Sequence, residues 1–410
     1  MRRSAVSKVI CPSFLQTALT VGIVAIGASG AAWADDERPV KIGVLGDHSS
    51  PLANLGGPAL AEAVRMAVED FGGVVLGKKI EITTADNQAK TDIGATIARR
   101  WFDIENVDVI TDVTGSAIAF AVMELSRDKK KNVLVTASGS SDITGAKCSP
   151  YTTHWNYDTY ALAQTAGSSL ASKGEKWFYI TVDYAFGHSV EKDSISAVTR
   201  AGAKVVGATR APLDTHDFSS YLLTAQASGA DIIALANAGG NLHNNMKQAA
   251  EFGLTERGQK LVPLVAFIDD IHALGLNSTQ GVRFATAFYW DASGKSRGFS
   301  QRFFERTKRM PNQNMAATYD AVTHYLRAVQ AVQTKDAEKV AAKMREMPVG
   351  GLLNNAYVRK DGRVVYDMYV VETKKTEDSK SGWDLLRVTD VVPGAKAFRP
   401  VESGGCPLVK

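Results

Sequence analysis

The amino-acid sequence predicts an α/β fold made of two units that share one pattern. Short apolar runs alternate with longer runs of helical spacing over residues 40–138, and the same alternation begins again at residue 176. This pattern is typical of parallel sheets covered by helices, because each parallel strand needs a crossover to return the chain. A length of 410 residues also suits two domains better than one core.

The first unit is predicted to hold four strands and three helices. Its first helix closes on Gly72-Gly73, a typical C-terminal stop. The predicted strands cover residues 40–46, 79–86, 107–113 and 132–138. The predicted helices cover residues 57–73, 91–103 and 116–129.

The second unit repeats this pattern with four strands and three helices. Its second helix opens with Asp217, a residue type that favours the N-cap. The predicted strands cover residues 176–183, 204–212, 231–237 and 261–268. The predicted helices cover residues 188–202, 217–229 and 241–253.

The alternation stops in the last third of the chain. A predicted hairpin over residues 354–375 turns at Lys360-Asp361-Gly362, which is a good hairpin signal. The hairpin is preceded by a predicted strand over residues 281–290 and by predicted helices over residues 298–310, 315–334 and 336–347. No linker rich in Ser or Pro divides the halves, so several close crossings are expected to join them.

Residues 1–34 are predicted to be a secretory signal peptide. The basic start "MRRSAVSK" precedes the apolar stretch "ALTVGIVAIGASG", and Ala32-Trp33-Ala34 offers a cleavage site after Ala34. The alternative is an N-terminal membrane anchor, but the apolar run is short for a span of about 20 residues. No other stretch is apolar enough to cross a bilayer, so the mature protein is expected to be soluble.

The charge balance argues against nucleic acid or an anionic membrane surface as a partner. The formal charge is +4, and Arg2, Arg3 and Lys8 lie in an N-terminal stretch without Asp or Glu. The rest of the chain is therefore close to neutral and carries no basic patch for phosphates.

The cysteines predict one disulfide. Cys11 lies in the predicted signal peptide, so Cys148 and Cys406 remain as an even pair in an exported chain. An oxidising compartment favours a bond between them, with two free thiols as the alternative.

No motif specifies catalysis, a metal or a cofactor. "GGVVLGKK" (72–79) lacks the final Ser or Thr of a phosphate loop and follows a helix instead of a strand. "GHSVE" (187–191) begins like a nucleophile elbow, but Glu191 stands where the strained turn needs a small residue. The seven histidines have no paired metal spacing. No enzyme, no metal site and no cofactor are therefore expected.

Small and hydroxyl residues gather where three predicted strands of the first unit end. "GDHSSPLANLGG" (46–57) follows the first strand, "TGSA" (114–117) the third and "ASGSS" (137–141) the fourth. Ligands of open α/β sheets bind beyond the carboxyl ends of the strands, where helix N-termini attract anions. Ordinary turns use the same residues, but three such loops, matched by the aromatic "DYAFG" (183–187), favour a ligand site.

At this level of detail the chain resembles the periplasmic substrate-binding proteins of ABC importers, in the branch typified by the leucine/isoleucine/valine-binding protein. The order and spacing of six segments carry the resemblance across nearly the whole mature chain. They are "KIGVLGDHSSPLANLGGPALAEAVRMAVEDF", "DVTGSAIAFAV", "VLVTASGSSDIT", "DYAFGHSVEKD", "DFSSYLLTAQASGADIIALANAGG" and "MAATYDAVTHYL".

The resemblance implies the type I periplasmic binding protein fold: two doubly wound, Rossmann-like lobes joined by three hinge crossings, with the ligand in the cleft between them. By position, lobe one comprises residues 39–157 and 291–347, and lobe two comprises residues 158–290 and 348–400. Residues 401–410 form a C-terminal tail. The resemblance also implies a monomer in the periplasm that closes around a small molecule and docks on the subunits of an inner-membrane permease.

The resemblance further assigns site residues by position. The carboxylate cradle of the first lobe falls on five residues, namely Gly115, Ser116, Ser138, Gly139 and Ser140. The second lobe contributes Phe186 with Tyr184 beside it, and Asn237-Ala238. Tyr157 and Tyr160 lie on the hinge side.

Two departures from the family pattern bear on the ligand. The aromatic near the first loop is replaced by Leu55, and another family aromatic falls near Ala238, which enlarges the pocket. The acid that pairs with a ligand ammonium falls near Asp269 or Asp270. The enlarged pocket suits an aromatic carboxylate, a keto acid or an amide. An aspartate facing the cleft would favour an amino acid; if both point away, a ligand without an amine is favoured.

Two other functions remain as alternatives at this stage. A ligand-sensing protein for a receptor system shares this fold, although no signalling domain is visible in the sequence. A secreted hydrolase is the second alternative, against which the absence of a nucleophile elbow and of a metal motif both speak.

Overall fold

The two predicted units are two parallel sheets, which the computed structural model describes within residues 38–254 and 258–409. The predicted signal peptide, residues 1–34, lies outside the described residues. The strands are β1 Lys41–Gly46, β2 Val74–Val75, β3 Lys78–Lys79, β4 Glu81–Asp86, β5 Val109–Asp112, β6 Asn132–Val135, β7 Thr152–His154, β8 Lys176–Val182, β9 Lys204–Ala211, β10 Ile232–Ala236, β11 Lys260–Pro263, β12 Arg283–Thr286, β13 Tyr357–Val358, β14 Val364–Val365, β15 Met368–Thr373 and β16 Leu386–Val392.

Helices cover the sheets and fill the last third of the chain. They are α1 Pro58–Asp70, α2 Thr91–Asp103, α3 Ser116–Lys129, α4 Thr159–Leu170, α5 Ala185–Arg200, α6 Ser219–Ala227, α7 Gly240–Glu251, α8 Ile268–Leu274, α9 Leu276–Thr279, α10 Gly294–Thr307, α11 Gln313–Val332, α12 Ala337–Glu346 and α13 Gly394–Ala397. The predicted bounds of α2 and α3 are confirmed to the residue.

Both parallel sheets are doubly wound, as predicted. The first sheet has the order β4-β1-β5-β6-β7 and the second has the order β11-β10-β8-β9, with every neighbouring pair parallel. In each sheet the first strand along the chain lies between the second and the third, so the winding changes direction beside it. Strands β12, β15 and β16 form a separate antiparallel sheet.

The strands are buried on both faces, which explains their nearly continuous apolar sequences. In β1, Ile42 and Val44 belong to one hydrophobic cluster, whereas Leu45 belongs to another on the opposite face. In β8, Tyr179 and Ile180 divide between two clusters in the same way. Helices on both sides of a parallel sheet produce this pattern.

One predicted strand is too long. The prediction placed a strand over residues 261–268, but β11 ends at Pro263 and α8 begins at Ile268. The apolar run continues because residues 264–268 are buried outside the strand. The carboxylate of Asp270 accepts the backbone N–H of Phe267 at 2.7 Å, so it caps α8 and ends the extended backbone.

Several elements were not predicted. The polar strand β7 adds a fifth strand to the first sheet, and α4 packs against α5. The predicted hairpin over residues 354–375 is real but short, because only β13 and β14 pair across its turn. Its second half, β15, joins β12 and β16 instead.

The chain passes three times between elements packed on the first sheet and elements packed on the second. The passages follow β7, β12 and α12. After β7 the chain enters α4, which packs on α5, and after β12 it enters α10 and α11, which pack on α1. The predicted lobe bounds at residues 157, 290 and 347 fall in or beside these passages. The assignment of lobe one to residues 39–157 and 291–347 and of lobe two to residues 158–290 and 348–400 stays a prediction.

A buried arginine joins the first passage to the hairpin that follows the third. Arg363 donates from Nη2 to the carbonyl of Asn156, and its Nη1 lies 3.6 Å from the Asp158 carboxylate. Its guanidinium also lies 4.7 Å from the centre of the Phe398 ring. A buried cation needs such partners, because an uncompensated buried charge is strongly destabilising.

The predicted disulfide is present in the structure. Cys148 and Cys406 are bonded, with their Cα atoms 5.6 Å apart and 258 positions between them in the sequence. The bond ties the predicted C-terminal tail, residues 401–410, to the loop before β7.

Within the described ranges, none of the helices has the length and apolar character needed to cross a membrane.

A buried carboxylate anchors the third passage. Asp320 on α11 accepts the backbone N–H of Leu352 at 2.9 and 2.8 Å and that of Leu353 at 2.9 Å. Burial raises the pKa of Asp320 to about 6, although these hydrogen bonds oppose the shift. The folded protein therefore takes up this proton at a higher pH than the unfolded chain does, whose carboxyl stays near 3.8.

We expect Asp320→Asn to remove a pH-dependent part of the folding free energy. Below about pH 6 the folded state binds a proton that the unfolded state does not, so Asp320 stabilises wild type increasingly as the pH falls from 7 toward 4. The difference in unfolding free energy, wild type minus variant, should rise by about 1–3 kcal/mol over that interval, at no more than about 1.4 kcal/mol per pH unit. Urea unfolding at several pH values measures it, and a constant difference would contradict the assignment.

Candidate functional site

A small cavity lies between the two parallel sheets, at the carboxyl ends of their strands. Its empty volume is about 270 Å³, which includes space open to solvent. The residues that line it are Leu52, Leu55, Gly115, Ser116, Ala137, Ser138, Gly139, Tyr157, Tyr184, Phe186 and Ala238. They come from the loops after β1, β5, β6, β7, β8 and β10.

The winding of the sheets explains this position. The connections that follow β1 and β5 leave in opposite directions along the first sheet, and those that follow β8 and β10 do the same along the second. A crevice opens between two strands whose connections leave in opposite directions. Each sheet therefore contributes its own crevice, and the two crevices form one cavity. The sides also touch directly, since the N–H of Gly240 donates to the carbonyl of Pro51 at 3.0 Å.

The start of α3 presents backbone donors. Gly115 has φ of +103°, a conformation that residues with a Cβ atom rarely adopt. No side chain caps the first turn of α3, so its N–H groups lack the usual partner. The backbone N–H of Ser140 donates to Ser116 Oγ at 3.2 Å. Within residues 38–254 and 258–409, the Ser116 hydroxyl itself has no acceptor.

The strand end beneath these donors has an unusual backbone. Asp112 and Val113 have φ of +72° and +57°, in the left-handed region. The carbonyl of Asp112 accepts the N–H groups of Thr136 and Ala137 at 3.2 and 3.1 Å. Burial raises the pKa of the Asp112 carboxyl well above its usual range, and the nearby Asp47 acts in the same direction. This shift favours the neutral form of the Asp112 carboxyl, which adds no negative charge beneath the cavity.

The loop after β6 supplies the rest of the predicted cradle. Ser138 and Gly139 line the cavity, and the Ser138 hydroxyl donates to the carbonyl of Val113. Ser140 is buried but does not line the cavity; its hydroxyl donates to Ser189 Oγ on α5 at 3.1 Å. Four of the five predicted cradle residues thus line the cavity, and the fifth, Ser140, makes a contact between the two sides of the cavity.

Aromatic rings form the opposite wall. The Phe186 ring lies 5.9 Å from that of Tyr184 and 6.4 Å from that of Tyr157, centre to centre. A Cβ on Gly139 would lie within 2.8 Å of both Tyr157 and Phe186, so only glycine permits this approach. Burial raises the pKa of Tyr184, which keeps its hydroxyl protonated at neutral pH.

The two aspartates predicted to meet an ammonium do not line the cavity. Asp269 accepts hydrogen bonds from Arg309 Nε at 2.7 Å and Asn312 Nδ2 at 2.8 Å. Asp270 lies 2.6 Å from Nε2 of His243 and caps α8. Both carboxylates therefore have protein partners. They lie in the first turn of α8, which begins at Ile268, the last residue of the predicted strand.

Two further predicted residues also lie away from the cavity wall. Tyr160 is half-buried in the first turn of α4, and Asn237 is buried beside the cavity residue Ala238. Both amide atoms of Asn237 lack a protein partner within the described ranges. Sequence reasoning missed Leu52 and Ala137, whose only signal was their position in loops that follow strands.

The cavity wall carries no charged side chain. Its polar character comes from hydroxyl groups and from the helix start at Ser116, where the helix dipole favours negative charge. No group of three His, Cys, Asp or Glu residues in the described part of the chain is arranged to hold a metal ion.

Comparison with known proteins agrees with this architecture. A model of the family described as periplasmic binding protein matches residues 39–380. A relative named Leu/Ile/Val-binding protein homolog 6, from Brucella abortus, is 26% identical over 374 residues, which cover 88% of this chain and 93% of the relative.

Two solved structures are more similar in sequence. A periplasmic binding protein from Burkholderia mallei is 43% identical, with a TM-score of 0.88, over 91% of this chain and 99% of that one. A branched chain amino acid ABC transporter periplasmic ligand-binding protein from Burkholderia xenovorans is 38% identical, with a TM-score of 0.81, over 90% of this chain and 100% of that one.

We expect Gly115→Ala to destabilise the fold. The added Cβ would sit on a backbone with φ of +103° and lie 3.2 Å from Ile118, so the unfolding free energy should fall by about 1–3 kcal/mol. Gly298→Ala is the control, because Gly298 lies in α10 with nothing within 4 Å of the added Cβ and should gain about 0.5–1 kcal/mol. Denaturant unfolding compares the two; equal stability of both variants would refute the strain.

Proposed function

The chain belongs to the periplasmic binding protein family, and from this premise we propose that it captures a small carboxylate with a compact apolar body and no ammonium group. This membership confirms the resemblance seen in the sequence. Proteins of this family bind solutes and are not enzymes, and the chain is accordingly a substrate-binding component of an ABC transporter. The ligand class, the cradle residues and the closing motion are the proposal.

The observation that carries the proposal is the engagement of both aspartates. An amino acid enters a closed cavity as a zwitterion, and burial of its ammonium without a partner would cost several kcal/mol. Asp269 is held by Arg309 and Asn312, and Asp270 by His243. None of the described residues that line the cavity carries a carboxylate, so an amine would find no counter-charge there.

The opposite side of the cavity suits a carboxylate. In the described part of the chain, no side chain caps the N–H groups at the start of α3, and the Ser116 hydroxyl, which accepts the Ser140 N–H, has no acceptor of its own. Hydrogen bonds to an ionised acceptor are about twice as strong as neutral ones. Gly115 and Gly139 let a ligand approach the backbone closely. A carboxylate would therefore bind at this end, close to the α3 dipole.

The remaining wall suits an apolar body of modest size. Tyr157, Tyr184 and Phe186 offer ring faces and edges, and Leu52 and Leu55 close the other side. Aromatic pairs favour offset or edge-on contacts, which these tilted rings could extend to a ligand ring. An aromatic acid or a branched keto acid fits this lining; a long or charged tail would not.

The proposed mechanism is capture by closure. The cavity wall takes residues from both sheets, so a ligand that contacts both sides favours the closed arrangement over an open one. The three passages between the sheets are the proposed hinge. Family membership implies a periplasmic location and a permease partner; delivery of the closed complex to the permease in the inner membrane is part of the proposal.

The first experiment is a thermal-shift screen with matched pairs of ligands. Each pair differs only in the amine: phenylalanine against 3-phenylpropionate, and leucine against 4-methylpentanoate. Benzoate, 4-methyl-2-oxopentanoate and benzamide complete the panel, the last as a control without a carboxylate. We expect the amine-free acids to raise Tm, because a ligand that binds only the folded state stabilises it.

The screen can contradict the proposal in two ways. A shift by the amino acids alone would mean that an aspartate reaches the ligand after all. A shift by benzamide equal to that of benzoate would remove the carboxylate cradle. Mass spectrometry of the denatured protein identifies a ligand that co-purified and already fills the cavity.

We expect Ser116→Ala to weaken binding of the best acid from the screen by about tenfold to a hundredfold. The variant loses a hydrogen bond to a charged group, worth about 1.5–3 kcal/mol. Ser126→Ala is the matched control, because Ser126 is buried on the same helix but donates to the Met123 carbonyl at 3.1 Å. Isothermal titration measures both, and equal affinities in the two variants would exclude Ser116 from the cradle.

A further inference from the structure

We propose that Asp269, Arg309 and Asn312 form a clasp that stabilises the closed arrangement of the two sides of the cavity and so adds to ligand affinity without touching the ligand. This inference rests on the proposed function for its consequence, but not for its geometry. The name clasp refers to these three residues throughout.

The three residues come from opposite sides of the cavity. Asp269 lies in the first turn of α8, which follows β11 of the second sheet. Arg309 and Asn312 lie between α10 and α11, both of which pack on α1 and the first sheet. Arg309 Nε donates to Asp269 Oδ1 at 2.7 Å and Asn312 Nδ2 donates to Asp269 Oδ2 at 2.8 Å. Both carboxylate oxygens thus reach across.

The clasp is attached to the loop that lines the cavity. Arg309 Nη2 donates to the carbonyl of Asn54 at 2.7 Å, and Asn312 Nδ2 donates to the carbonyl of Leu55 at 3.1 Å. Leu55 is itself a cavity residue. When the clasp forms, it therefore fixes the first-sheet loop and α8 in one position relative to each other.

Burial gives this ion pair more weight than a surface pair. The side chains of Arg309 and Asp269 are 24% and 12% exposed, so solvent screens their attraction less than it screens an exposed pair. The neighbouring carboxylate, Asp270, is occupied by His243, which leaves Asp269 as the partner of Arg309. Separation of the sheets would break the ion pair and the hydrogen bond from Asn312 to Asp269 together.

The clasp also explains why an ammonium gains nothing at this site. Arg309 supplies from within the protein the positive charge that an amino acid ligand would otherwise bring to Asp269. The resemblance placed an ammonium-binding acid near Asp269 or Asp270, and in the structure Asp269 pairs with a guanidinium from the other side of the cavity.

The test uses the full mature protein with spin labels on opposite sides. Asp92→Cys on α2 and Lys247→Cys on α7 are both exposed labelling positions, and double electron–electron resonance measures the distance distribution without ligand. Without ligand we expect a minor, short-distance closed population beside the open one in wild type, so that a change in its ratio to the open state appears in full in the apparent Kd. Arg309→Met and Asp269→Asn should each reduce the ratio of closed to open protein about tenfold, a loss of about 1.4 kcal/mol.

The control removes a comparable ion pair that does not span the cavity. Arg302 binds Asp70 through two hydrogen bonds of 2.8 and 2.7 Å between α10 and α1, both on the first-sheet side. Arg302→Met should leave the distance distribution unchanged. The double variant Arg309→Met/Asp269→Asn should lose no more than either single variant, because the two residues act as one unit.

Two results would overturn the clasp. One is a wild-type distribution that is open throughout, and the other is a distribution that neither clasp variant changes. With 3-phenylpropionate as the probe, we expect each clasp variant to raise Kd about tenfold, and unchanged affinity would overturn the affinity claim. A wild-type protein that does not bind this probe contradicts the proposed ligand class, while the distance measurement still decides the clasp.

Discussion

The structure depends on one topological constraint: both sheets are parallel and doubly wound. Parallel strands need crossovers, so all their carboxyl ends meet at one edge and the next helices begin there. The cavity takes residues from both such edges. This arrangement explains three features of the cavity: its uncharged lining, the helix start at Ser116 and the glycines where other groups approach the backbone closely. The space there is limited, and the available donors are backbone N–H groups.

Charge is placed at the margin of the cavity instead of inside it. Asp269 pairs with Arg309, and Asp193 on α5 accepts hydroxyl donors from Ser141 and Thr159 at 2.8 and 2.6 Å. Burial raises the pKa of Asp193, although the hydrogen bonds from Thr159 and Ser141 oppose the shift. Polar contacts at the margin hold the sides together, and the neutral interior selects what can be enclosed between them.

The sequence predicted much of the fold and most of the residues that line the cavity. The bounds of α2 and α3 could be read exactly because amphipathic spacing and terminal residues are local signals. Gly115, Ser116, Ser138 and Gly139 could be placed because strand ends are where α/β proteins bind ligands. Strand β7 could not, since its three polar residues become a strand only by pairing with β6.

The sequence by itself determined the α/β class, the repeated unit, the positions of the cradle loops and the family. The class and the repeated unit rest on periodicity, and the loops on the residue types that follow the strands, whereas the family rests on the resemblance to known proteins. Only the tertiary structure decided the role of Asp269. Its partner, Arg309, is 40 positions away and lies on an element packed against the other sheet, and no local pattern encodes a contact between chain segments that meet only after both sheets have formed.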